Sequence, residues 1–132
     1  MIMQMKNSTV LIVDDDKALL KVMKKFFEKR GFRVFGADNG EKALKIFTKE
    51  DIDLIISDLK MPKMNGDTLF AEVREKQPTI PFFLYTGYLE HTSIPILEKM
   101  GISGVLEKPL TLDEVLDAVK DSLPETTANI VS

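Results

Sequence analysis

Short apolar runs alternate along this chain with longer stretches in which apolar residues recur every three or four positions. The runs cover residues 9–13, 32–35, 52–57, 81–85 and 104–107 and are rich in Val, Ile, Leu and Phe. Runs of that length, punctuated by turn-forming residues, predict strands. The stretches between them predict helices over residues 16–30, 41–48, 67–75, 94–100 and 111–123. Their inward faces read as Leu19, Val22, Met23 and Phe26, then Ala43, Leu44 and Phe47, then Leu69, Phe70 and Val73, and last Val115, Leu116 and Val119. That spacing is one side of a helix. The punctuation agrees. Asp16 is placed to cap the first helix. Gly31 and Gly101 are placed to end the first and fourth, and Pro95 fits a first turn. Gln77-Pro78 stops the third helix, and Thr111 with Glu114 forms a capping box for the last.

Five strand–helix units in alternation imply an α/β fold: a (βα)5 doubly wound parallel sheet, covered on both faces and joined by right-handed crossovers. A chain of 132 residues holds one domain and can bury a core without disulfides or metal. That domain is expected to span residues 1–123, with 124–132 as a polar tail.

Charge and composition then remove function classes. A net charge of −3 is too small to draw the chain to nucleic acid or to an anionic membrane. The lysines between Lys21 and Arg30 read as the solvated face of one helix. There is no cysteine, which excludes a disulfide scaffold and thiol chemistry and suits a reducing cytosol. The single histidine, His91, excludes a multi-histidine metal site and reads as solvent-exposed. No apolar run approaches the roughly 18 residues that span a bilayer, and residues 1–6 lack the order of a signal peptide. The expectation is a soluble cytoplasmic protein.

The candidate chemistry sits at strand ends. The first strand ends in Asp14-Asp15-Asp16, the third in Asp58, the fourth in Thr86 and the fifth in Lys108-Pro109. In a parallel sheet all these ends share one edge, where open α/β sheets bind their ligands. Clustered carboxylates repel unless something positive joins them. A hard divalent cation such as Mg²⁺ fits such oxygen ligands and keeps positions open for phosphate oxygens. Lys108 would add a point charge and Thr86 a hydroxyl donor. An Asp is a competent nucleophile toward phosphorus, so Asp58 could accept a phosphoryl group. Taken singly, each residue has a plainer reading: helix-cap acids, a turn threonine, a loop cation. Four such coincidences at four strand ends are hard to sustain.

These residues resemble the receiver domain of two-component response regulators, over residues 8–123. The matching motifs are Val10-Leu11-Ile12-Val13-Asp14-Asp15-Asp16, then Asp53-Leu54-Ile55-Ile56-Ser57-Asp58-Leu59-Lys60-Met61-Pro62 with Gly66, then Tyr85-Thr86-Gly87, then Glu107-Lys108-Pro109-Leu110. The resemblance implies a flavodoxin-like sheet of order 2-1-3-4-5. It implies Asp58 as the phosphoacceptor in a chain that is not a conventional enzyme but catalyses its own phosphorylation and slow dephosphorylation. Asp15 would ligate Mg²⁺ directly, Asp14 mainly through water, and the Lys60 backbone carbonyl would be a further ligand beside Asp58. Thr86 would be the switch hydroxyl and Lys108 the phosphate-binding lysine, followed by a cis bond to Pro109. Gly87 would leave access to the acyl phosphate. The implied partners are a sensor histidine kinase or histidine phosphotransfer protein as donor, docking near Leu20 and Pro109. Downstream stands a separate protein or a fused output domain. A phosphorylation-dependent homodimer is compatible with the family.

The chain departs from the family at Val105, where a switch aromatic is usual, which leaves Tyr85 or Tyr88 as substitutes. Lys60 and Tyr88 occupy positions that tune acyl-phosphate lifetime, and Tyr88 implies slow hydrolysis. Residues 89–95 delay the fourth helix and shorten it. Two rivals remain. A phosphatase similar to the haloacid dehalogenases would share the Asp14-Asp15-Asp16 spacing, but Ala18 stands where such chains carry Thr or Val. A receiver fold that works without phosphate would have no need of Asp15, Asp58 and Lys108 together.

Overall fold

The computed structural model describes residues 8–87 and 94–123. Five strands, β1 (Thr9–Val13), β2 (Arg33–Ala37), β3 (Leu54–Ser57), β4 (Phe82–Thr86) and β5 (Gly104–Glu107), form one sheet in the order β2-β1-β3-β4-β5. Every neighbouring pair is parallel. Helices α1 (Lys17–Lys29), α2 (Gly40–Lys49), α3 (Gly66–Lys76), α4 (Ile94–Lys99) and α5 (Leu112–Val119) follow the strands in turn, and a 3-10 turn over Lys120–Ser122 closes the described chain. The α/β class and the 2-1-3-4-5 order are as expected.

Successive side chains of a strand point to opposite faces. Leu11 and Val13 of β1 pack with Phe47 of α2, Phe70 of α3 and Leu97 of α4. Val10 and Ile12 pack with Met23 and Phe27 of α1 and with Val115 and Val119 of α5. With helices on both sides, β1 and β3 are buried throughout, which explains their unbroken apolar sequence. The edges differ. In β2 Val34 and Ala37 are buried, and β5 has no fully buried residue.

Several boundaries and one face move from the sequence expectation. On α1, Met23 and Phe27 are buried while Val22 is 53% exposed. Adjacent apolar pairs, Leu19-Leu20 and Phe26-Phe27, leave the helix free to roll by one residue's rotation, and contact with the sheet selects Phe27. Phe26 is half-buried against the same core, with the Arg30 guanidinium 3.6 Å above its ring. β2 starts at Arg33 because Phe32 belongs to the helix end. Gly31 adopts φ +93°, its N–H reaches the Glu28 carbonyl, and the Phe32 N–H reaches the Phe27 carbonyl. This is a Schellman closure, sealed by the Phe27 and Phe32 rings 5.6 Å apart. β3 starts at Leu54 because the Asp53 carboxylate accepts the Thr9 N–H at 2.8 Å. β4 includes Thr86 and leaves Pro81 outside. Helix α4 is described from Ile94 to Lys99; Tyr88, His91 and most of the segment expected to delay the helix lie outside the described residues.

Candidate functional site

Val13 of β1 pairs with Ser57 of β3, so the next residue of each, Asp14 and Asp58, leaves the sheet side by side. Thr86 pairs with Glu107, which puts Lys108 at the same edge. From the outer strand the Lys108 side chain reaches inward over β4. Its ammonium donates to Asp14 Oδ2 at 3.0 Å and to Asp58 Oδ2 at 3.1 Å, joining residues 94 and 50 positions away. Asp14, Asp15, Asp16, Asp58, Lys60 and Lys108 line a cleft of about 580 Å³ together with Met61, Pro62 and Asn65.

The buried carboxylates are held on both oxygens. Asp14 Oδ1 accepts the Asp16 N–H at 2.9 Å, and Asp58 Oδ1 accepts the Leu59 N–H at 2.7 Å. Burial nevertheless pushes the Asp14 carboxyl above its ordinary pKa. The Asp16 N–H and Lys108 oppose this, and the Asp58 charge adds to it. For Lys108, burial pulls the ammonium down, but its bonds and charge contacts with Asp14 and Asp58 outweigh burial and leave its pKa raised. The lysine is therefore cationic at neutral pH. One ammonium does not balance three carboxylates. Asp14, Asp15 and Asp58 each offer an oxygen, all within 4.8 Å of one another. Asp15 is exposed, while Asp14 and Asp58 are buried. An all-oxygen set with surplus negative charge fits a hard divalent cation.

The loop from β3 to α3 shapes the cleft wall. The Gly66 N–H bonds the Leu59 carbonyl at 2.7 Å, and a Cβ on Gly66 would overlap the Asp58 carbonyl oxygen. Lys63 sits at φ +68°, a left-handed conformation uncommon outside Gly and Asn. Asn65 stands at the N-cap of α3 but gives its side chain to the Met61 N–H, at 3.0 Å, instead of capping the helix. From the sequence, Met61 and Pro62 entered only as part of the matching motif, with no role at the cleft, and Asn65 was not singled out. The turn-forming Asn65-Gly66 pair says nothing of a cleft.

Other candidates stand back from the cleft. Thr86 is fully buried at the same edge, and its carbonyl accepts the Lys108 N–H at 2.8 Å. The Lys108–Pro109 bond is cis, as the resemblance implied. Gly87 leaves open space, with Lys108 Cβ 4.0 Å from where its own Cβ would be. Tyr85 does not fit as a replacement switch ring. It is buried among the residues facing α1 and α5, the face opposite Thr86, and its hydroxyl is bonded to Leu110.

The chain is similar to known proteins. The family model for the response regulator receiver domain matches residues 10–120. The chain is 36% identical to sporulation initiation phosphotransferase F of Bacillus subtilis, over 91% of this chain and 97% of that one. It is 35% identical to the transcriptional regulatory protein GlrR of Escherichia coli over 94% of this chain, but spans only 28% of that longer protein. The response regulator TrrA of Thermotoga maritima, solved with Mg²⁺ and a beryllium fluoride, superposes with a TM-score of 0.79 at 29% identity, covering 88% of this chain and 99% of that one. Among the described residues no helix is long and apolar enough to cross a membrane. With its parallel 2-1-3-4-5 sheet and its acidic cleft at the carboxyl edge, this chain belongs to the response regulator receiver domain family of two-component systems.

Proposed function

We propose that this chain accepts a phosphoryl group on Asp58 from a phosphohistidine of a sensor histidine kinase or a histidine phosphotransfer protein. The observation that carries this reading is the Lys108 ammonium held between the Asp14 and Asp58 carboxylates at 3.0 and 3.1 Å. In the reaction, an Asp58 carboxylate oxygen bonds to phosphorus as the phosphorus–nitrogen bond breaks. The imidazole leaves and regains a proton from solvent. The Leu59 N–H on Oδ1 fixes the carboxylate plane, which favours in-line attack. Lys108 transfers its bond from carboxylate to phosphoryl oxygen and offsets the charge that develops there.

Asp14, Asp15 and Asp58, with the Lys60 carbonyl, would hold the metal, and TrrA, solved with Mg²⁺ and a beryllium fluoride, supports Mg²⁺ there. Bound magnesium supplies positive charge to the phosphoryl oxygens. Water attack on phosphorus later returns Asp58 and inorganic phosphate.

The added charge draws Thr86 and Lys108 toward the phosphoryl group and remodels the surface formed by β4, α4 and β5. Val105 offers no ring to carry that change, and Tyr85 packs on the opposite face of the sheet, so the substitute ring left from the sequence is Tyr88. The donor docks over the start of α1 and the β5–α5 loop, where Leu20 is half-buried and Pro109 exposed. The domain spans residues 1–123, works in the cytoplasm, and signals to a separate protein or a fused output domain. The decisive measurement is intact-protein mass after treatment with acetyl phosphate and Mg²⁺, for wild type and Asp58→Asn. Labelling of the wild type alone is expected; equal labelling of both overturns the assignment.

A further inference from the structure

Lys108 is a flexible side chain, yet its ammonium sits within hydrogen-bond distance of two carboxylates at once. Its backbone lies on the short connection between β5 and Thr111, the N-cap of α5. Two consecutive residues of β4 hold that connection. The Thr86 carbonyl accepts the Lys108 N–H. The Tyr85 phenol donates to the Leu110 carbonyl at 3.0 Å and accepts the Leu110 N–H at 3.4 Å. A phenol can donate and accept at the same time; a phenyl ring can do neither. The Tyr85 ring also lies under the ammonium, its centroid 5.1 Å from Lys108 Nζ, within the range at which an aromatic face attracts a cation. Tyr85 is 5% exposed. A phenylalanine there would fill nearly the same volume with no hydroxyl to satisfy. One buried side chain therefore touches Lys108 at its charged end and grips the backbone two residues further on.

We propose that Tyr85 is a positioning residue for phosphoryl transfer, fixing the Lys108 ammonium between Asp14 and Asp58 through its phenol on Leu110 and its ring beneath the ammonium. This rests on the reading of Asp58 as phosphoacceptor and Lys108 as its charge partner. Tyr85 is not among the residues lining the cleft and acts only through Lys108. Losing the hydroxyl frees Leu110, and the ammonium then spends less time where the phosphoryl oxygens arrive.

The test is a double-mutant cycle on the whole chain, with acetyl phosphate and Mg²⁺ as reagents. Labelling rates are followed by mass for long enough to read slow variants, at a temperature where melting curves show each variant folded. Tyr85→Phe is expected to slow labelling about three- to tenfold, the scale of one hydrogen bond, with Mg²⁺ affinity unchanged. Tyr85→Leu, which also removes the ring, is expected to slow it further. In a Lys108→Ala background Tyr85→Phe is expected to change nothing more, because the residue it acts through is gone. A wild-type rate for Tyr85→Phe, or the same fractional loss with and without Lys108, would overturn the proposal. Labelling that persists in Asp58→Asn would instead overturn the reading on which it rests.

Discussion

The middle of the sheet and its β5 edge are built on opposite terms. In the middle, polar groups are buried: Asp14 and Asp58 sit among β1 and β3 residues that solvent does not reach. At the edge, apolar groups are exposed. Ile96 of α4 is 59% accessible, Met100 just beyond it is partly so, and no residue of β5 is fully buried. Buried carboxylates are costly unless every oxygen is engaged, so the middle tolerates few arrangements. An edge that buries little can rearrange at small cost. The chemistry thus occupies the part least able to move, and the surface expected to change occupies the part that moves easily. Lys108 belongs to both, with its backbone at the end of the edge strand and its ammonium in the middle.

The largest effect should come from cutting that link. Lys108→Ala is expected to slow labelling by acetyl phosphate about a hundredfold or more, the scale of losing one charge-stabilising donor. It also leaves two carboxylates facing each other, so urea midpoints should show a loss of stability that Mg²⁺ partly restores. A midpoint insensitive to Mg²⁺ would break the link between charge balance and folding.

Next comes Gly66→Ala. A side chain there meets the Asp58 carbonyl, and about 2–4 kcal/mol of destabilisation is expected in urea unfolding, as for overpacked buried sites.

Asp14→Asn should act in the other direction. An amide oxygen can still accept the Asp16 N–H, Lys108 keeps Asp58, and one buried charge is removed. A gain of about 1 kcal/mol at neutral pH is expected, with Mg²⁺-dependent labelling lost. The pH dependence has a definite sign. The folded-state pKa of Asp14 is raised above its ordinary 3.8, so between those two values the folded chain holds the proton more tightly than the unfolded chain. As pH falls through the raised value toward 3.8, the wild type gains stability from this group. The advantage of Asp14→Asn should therefore shrink on acidification; an advantage that grows would contradict the burial argument.

The smallest effect belongs to the edge. Ile96→Ser is expected to change stability by less than about 0.5 kcal/mol, and a larger loss would show that α4 is more tightly packed than its exposure indicates.

Much of this was legible in the sequence. Periodicity placed the strands and helices, because a residue's neighbours along the chain decide whether an apolar face repeats every two or every 3.6 positions. The site was legible for a topological reason: parallel strands put every carboxyl end on one edge, so Asp14, Asp58, Thr86 and Lys108 had to gather there. What stayed hidden depended on contacts between residues far apart in sequence. Spacing put Val22 and Phe26 on the inner face of α1; contact with the sheet buried Phe27 and left Val22 exposed. Asn65 was a turn residue until its loop folded over the cleft. The phenol of Tyr85 meets Leu110 across 25 positions, a pairing that no local pattern records. The raised proton affinity of Asp14 is of the same kind, since its largest cause is burial, and only the assembled layers of helix and sheet decide what is buried.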